Sequence, residues 1–172
     1  GGKARGSNTV AVADEAGKRR VVLASSRSEV PKRSLLAGLG ISGYVGRLFA
    51  AAPAAVERGY SEESFQLESP GGRCSHCEGS GFLSYDLALL EEIAVECPRC
   101  QGRRFKDEIL EVTLKGANIS DLLSYTVDQS REYFARDAKI RPLLDAVLLC
   151  GLGHLKLGQV SSELESGQRI LL

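Results

Sequence analysis

The sequence predicts an α+β chain: a zinc-stapled β-hairpin module inserted in a mixed, mainly helical domain. Three observations predict it. Two Cys-x-x-Cys turns, Cys74 to Cys77 and Cys97 to Cys100, stand nineteen residues apart, each followed by glycine two positions on. Between them, residues 82–87 and 92–96 have the composition of two hairpin strands. On either side, apolar residues recur at helical spacing, with helix-starting and helix-stopping residues at the segment ends.

Taken in order, residues 1–20 read as loose, with a short strand at 10–13. Residues 20–24 read as a buried strand, and residues 25–36, polar, basic and proline-containing, as an exposed loop. Tyr44, Val45, Leu48, Phe49 and Ala52 lie on one face of a helix. Pro53 opens a second helical segment and Gly59 closes it. Residues 64–69 are expected to be extended, with Phe65 and Leu67 on one face. Pro70, Gly71 and Gly72 turn the chain into the first cysteine pair. Leu110, Val112 and Leu114 alternate with Glu111 and Thr113, the pattern of a half-buried strand ended by Lys115 and Gly116. Ser120 and Asp121 start a short helix. Thr126 and Gln129 have capping-box spacing and start another, running through Arg131, Tyr133 and Phe134. Pro142 stands at the start of a last, buried helix that Gly151 stops. The expected organisation is 1–43 as N-terminal strand and basic loop, 44–70 as helical segment, 71–116 as metal module, and 117–172 as a helical part.

Composition bounds the function. Lys plus Arg and Asp plus Glu number 22 each, so the formal charge is zero. Its distribution is uneven: residues 1–34 carry eight basic residues against three acidic ones. A second basic group, Arg99, Arg103, Arg104 and Lys106, flanks the second cysteine pair. Clustered cations beside a metal site point to a phosphate-contacting face, a solvated charged surface being the alternative. No apolar run reaches membrane-spanning length and no signal peptide stands at the start, so no membrane and a cytoplasmic location are expected. The chain has no methionine and begins Gly1-Gly2-Lys3, which reads as part of a longer protein.

Four thiolates at about 2.3 Å in a tetrahedron are what zinc prefers, and a Cys-x-x-Cys turn presents two of them together. Gly79 and Gly102 are placed where backbone N–H groups would approach the sulfurs. Disulfides or a redox Cys-x-x-Cys are the competing readings, but the first suits secreted chains and the second normally occurs singly. With Cys74, Cys77, Cys97 and Cys100 as ligands, Zn2+ is structural, because four protein ligands leave no position for a reacting water. His76 is expected at the surface, and Cys150 with His154 in core packing. No catalytic residue is assigned.

The run Gly71-Gly72-Arg73-Cys74-x-x-Cys77-x-Gly79-x-Gly81, then Cys97-x-x-Cys100-x-Gly102-x-Arg104-Phe105, resembles the zinc module in the C-terminal half of the UvrA family. That family is the damage-recognition subunit of the bacterial excision-repair endonuclease, an ABC-type ATPase. Arg47 to Ala50, Arg58 to Tyr60, Leu110 to Val112, Ile119-x-Asp121-x-Leu123 and Leu157 to Gln159 fit the pattern as well. The resemblance implies an ABC-type signature domain. Its partners would be lesion-bearing duplex DNA, a UvrB-like protein and a second UvrA subunit. It puts Lys32 and Arg33 in a basic DNA-contacting segment, with Arg73, Arg103, Arg104 and Lys106 around the module as further DNA-binding residues.

Two departures qualify this. Leu164, Glu165, Ser166, Gly167 and Gln168 match the family's ABC signature, but Glu165 replaces the serine that would donate to phosphate. No phosphate-binding loop G-x-x-x-x-G-K-[ST] is present, so no ATPase activity is expected of this chain alone, and ATP would matter only in a full-length protein. A UvrA paralogue without repair activity is one alternative. The other is a protein-interaction module, because Cys-x-x-Cys-x-Gly-x-Gly also resembles the zinc repeat of DnaJ-type co-chaperones.

Overall fold

The structure, a computed structural model, describes residues 33–85 and 93–160. The expected strands at 10–13 and 20–24, Lys32, the hairpin tip and the stretch Leu164 to Gln168 lie outside the described residues.

Helix α1 (Leu35–Gly38) is capped by Ser34, whose hydroxyl accepts from Ala37 N at 3.3 Å. Ser34, Leu35 and Leu36 are buried, which corrects the exposed loop expected through residue 36. The reason is a long-range tie. Leu35 N donates to Gln159 O and Leu36 N to Leu157 O, pinning this segment against the far end of the chain.

Helix α2 (Ser42–Ala50) buries Val45, Gly46 and Phe49, the face its spacing predicts. Helix α3 (Pro53–Glu57) starts on Pro53 and is followed by Gly59 at φ +68°, as expected of those two residues. A 3-10 turn then runs over Glu62–Phe65 instead of the extended segment expected there. It forms because Phe65 must stack on Phe49, ring centroids 5.4 Å apart. Gly46 permits the approach: a Cβ there would lie 2.5 Å from Glu62 O.

Strands β1 (Phe82–Tyr85) and β2 (Ile93–Glu96) form the hairpin the sequence predicts, antiparallel with Phe82 opposite Glu96. The alternating 110–114 run is not a strand. Helix α4 (Asp107–Leu110) buries Ile109 and Leu110, Val112 N closes on Ile109 O, and Leu114 pairs with Ala117 across a tight turn. No neighbouring strand faces the run, so its apolar residues reach the core from a helical turn instead.

Helix α5 (Ile119–Ser124) begins just before the expected position, on a capping box of Asn118 and Asp121. Helix α6 (Val127–Tyr133) starts on the predicted box of Thr126 and Gln129. Helix α7 (Ile140–Leu149) buries Ile140, Leu144 and Val147 and ends before Gly151 at φ +75°. The segment after it threads back through the domain. Val127 N donates to Leu155 O, Leu157 N to Tyr125 O, and Gly158 N to Leu123 O. One hydrophobic core results, from Leu35 to Leu157, and the four buried cysteines form a separate cluster.

Candidate metal centre and its basic surroundings

The four cysteines arrive from two turns built alike. After each second cysteine, the next two residues and the fourth adopt left-handed backbone. In the first turn these are Glu78 (φ 51°), Gly79 (83°) and Gly81 (84°), and in the second Gln101 (49°), Gly102 (72°) and Arg104 (71°). Ser80 N donates to Cys77 O and Arg103 N to Cys100 O, both at 2.9 Å. The turns also close each other. Cys97 N donates to Gly81 O at 2.9 Å, and Cys74 N to Arg104 O at 2.8 Å. Neither turn satisfies its own first cysteine N–H; each needs the other.

The result is four buried sulfurs all within 4.8 Å of one another. Cys77 and Cys100 sulfurs are 3.6 Å apart, against about 3.8 Å for the edge of a zinc-thiolate tetrahedron with 2.3 Å bonds. The donor set therefore fits a tetrahedral thiophilic metal ion. The N–H that reaches Cys77 Sγ is that of Gly81, at 3.3 Å, and the corresponding group at Cys100 is that of Arg104. These lie two positions beyond Gly79 and Gly102, where the sequence placed them. Gly79 and Gly102 are needed for their positive φ.

Proton affinities within the cluster diverge. Burial pushes the Cys97 thiol up, but N–H groups of Cys100 and Arg99 and the thiols of Cys100 and Cys77 outweigh it and bring it to about 7. Burial pushes Cys100 up to about 12, helped by hydrogen bonding with Cys77 and Cys97. One thiolate forms readily and its crowded neighbours resist, the situation a bound cation resolves.

The basic residues that the sequence places on DNA are largely occupied within the molecule. Arg73 donates to Leu67 O at 3.3 Å, and Lys106 to Gly71 O at 2.9 Å. Arg103 donates to Cys100 O at 3.2 Å and pairs with Asp107 at 2.9 Å. Arg104 reaches Ser80 O at 3.2 Å and Gly158 O at 2.5 Å, tying the module to the returning C-terminal segment. Arg33 and Arg99 are exposed. A cleft of about 680 Å³ lies beside the module, with Arg73, His76, Phe82 and Glu68 among its walls.

His76 is exposed, as expected. Cys150 and His154 are exposed too, which corrects the core packing expected of them. Helix α7 turns its Leu144 and Val147 face inward, and the turn at Gly151 leaves both groups outside. Among the described residues, only the four module cysteines form a metal-binding group.

Fold and site together define a helical domain carrying an inserted four-cysteine hairpin module. No protein-family profile matches the chain. It is 36% identical over 129 residues to UvrABC system protein A of Methanothermobacter thermautotrophicus, covering 75% of this chain and 13% of that protein. It is 41% identical over 127 residues to the Aquifex aeolicus protein of the same name, covering 73% and 14%. The solved structure of UvrA2 from Deinococcus radiodurans superposes with a TM-score of 0.78 at 39% identity, over 84% of this chain and 18% of that one. The chain belongs to the UvrA family, and it spans only about one seventh of the curated relatives it matches.

Proposed function

We propose that this chain is the zinc-stapled, DNA-binding part of a UvrA-type excision-repair protein, recognising damaged or distorted duplex DNA. The observation that carries the reading is the reciprocal four-cysteine centre, set in a domain whose sequence and fold match UvrA relatives. Cys74, Cys77, Cys97 and Cys100 hold Zn2+ as a structural ion, which orders the module and leaves hydrolysis to other parts of the protein. Binding proceeds through phosphate contacts and the deformability of the duplex, so it tolerates sequence and favours distortion. A UvrB-like protein and a second UvrA subunit are its expected partners, in the cytoplasm. ATP acts only in a full-length context. Among the described residues no helix is long and apolar enough to cross a membrane.

The test is a salt titration of the zinc-loaded chain with intact and distorted duplexes. Affinity should fall steeply as salt rises and favour the distorted duplex. Salt-independent binding, or binding to unfolded polypeptide without binding to DNA, would overturn the proposal. A second reading, a UvrA paralogue without repair activity, rests on Glu165 standing where the signature has serine. In a full-length protein, Glu165→Ser that leaves ATP-dependent behaviour unchanged supports this second reading.

A further inference from the structure

Away from the cysteines, cations converge on one aromatic ring. Tyr44 of α2 donates its hydroxyl to Asp137 Oδ2 at 3.2 Å, across 93 residues of chain. Lys139 Nζ lies 4.9 Å from the Tyr44 ring centroid, and Arg47 Cζ lies 5.9 Å from it. Lys115 Nζ sits 5.4 Å over Tyr133 and donates to Tyr133 O. Its charge, after burial and hydrogen bonds from Ile140 N, Lys139 N and Tyr44, helps hold the Asp137 carboxyl below its usual range. Arg136 stands exposed on the same turn.

The acids here are already committed. Glu62 pairs with Arg47 at 2.9 Å. Asp137 Oδ1 accepts from Lys139 N and Ile140 N, each at 2.9 Å, which fixes the turn that carries the cations. Among the described residues neither Arg136 nor Lys139 forms an ion pair. Two uncompensated cations are thus displayed from a rigid turn, beside aromatic rings that hold Lys139 and Lys115 in place. The tied arginines and lysine around the cysteine module lack that freedom.

We infer that the Tyr44–Asp137 turn is a second phosphate-contacting surface, which binds the sugar-phosphate backbone of duplex DNA through Lys139 and Arg136. This rests on the proposed DNA-binding function and names a contact surface for it outside the module. Charge complementarity selects the occupant: an array of phosphates answers two exposed cations, and Asp137 disfavours an acidic peptide.

The experiment measures fluorescence anisotropy of a labelled duplex with one distorted site, across a salt series, with the zinc-loaded chain. The double substitution Arg136→Ala and Lys139→Ala should reduce the slope of log affinity against log salt by about 2. Affinity at low salt should fall about tenfold or more, alike for different sequences. Zinc content and melting temperature should not change, since both side chains point outward. The pair Arg136→Lys and Lys139→Arg should retain the original slope, which separates charge from a packing role. An unchanged slope in the alanine variant, with the unmodified chain binding normally, overturns this inference alone. Absence of salt-dependent binding by the unmodified chain overturns the DNA-binding proposal and this inference with it.

Discussion

The two cysteine turns have the same backbone and different side chains, and the difference shows what each does besides holding sulfur. At the fourth position after its second cysteine, the first turn has Gly81, for which left-handed backbone costs nothing. The second has Arg104 at φ 71°, a strained choice for a residue with a Cβ. Arg104 is retained there because its side chain reaches Ser80 O in the first turn and Gly158 O in the body. Gly81 cannot be exchanged for a similar residue, since a Cβ would lie 3.1 Å from Gly102 O. The first turn is therefore the close-packed member of the pair, and the second is the one that anchors.

Entry to the turns differs in the same sense. Two residues before the first cysteine stands Gly72, where a Cβ would fall 1.8 Å from Ser64 O. Two residues before Cys97 stands Val95, nearly half exposed. The first turn is clamped against the helical body, while the second is entered from a strand open to solvent.

The largest effect should erase the difference between the turns. Cys77→Ser and Cys97→Ser should each abolish stoichiometric zinc retention, with loss of a metal-binding contribution on the order of 10 kcal/mol. Zinc-to-protein ratios and chelator-dependent unfolding measure this. If one pair alone keeps the ion, the reciprocal closure is not what forms the site. Next, Gly72→Ala should destabilise by about 3 kcal/mol, while Val95→Ala should change little, read from urea midpoints. Equal effects would remove the asymmetry of entry.

Arg104→Ala should cost about 2 kcal/mol through two lost charged hydrogen bonds. Arg104→Gly should cost roughly 1 kcal/mol less, because the backbone strain is relieved. If glycine proves worse than alanine, Arg104 is not strained. The smallest effect should be Gln101→Gly, a gain of about 0.5 kcal/mol from its left-handed backbone. A thermal melt of the zinc-loaded protein resolves its sign.

Local spacing made much of this legible. The capping box at Thr126 and Gln129, the proline and glycine bounding α3, and the cysteine spacing all act within a few residues, so the sequence displays them directly. The misreadings share a cause. The 110–114 alternation and the 64–69 stretch were judged on local pattern, yet Phe65 and Val112 take their conformations from Phe49 and Ile109 across the core. The basic residues were legible as charge and not as hydrogen-bond donors, because their carbonyl partners, such as Gly158 O for Arg104, lie far along the chain.

By itself the sequence determined the ligand set, because metal binding requires four thiols in two short turns and nothing nearby competes. It also determined the helix boundaries set by local caps, and through many separated matches the family. Only the tertiary structure decided that each turn completes the other, that the cations around them serve as internal ties, and that Lys139 and Arg136 are left free on a distant turn. Those outcomes depend on which carbonyls and carboxylates come within about 3 Å, and folding creates that proximity where sequence distance does not.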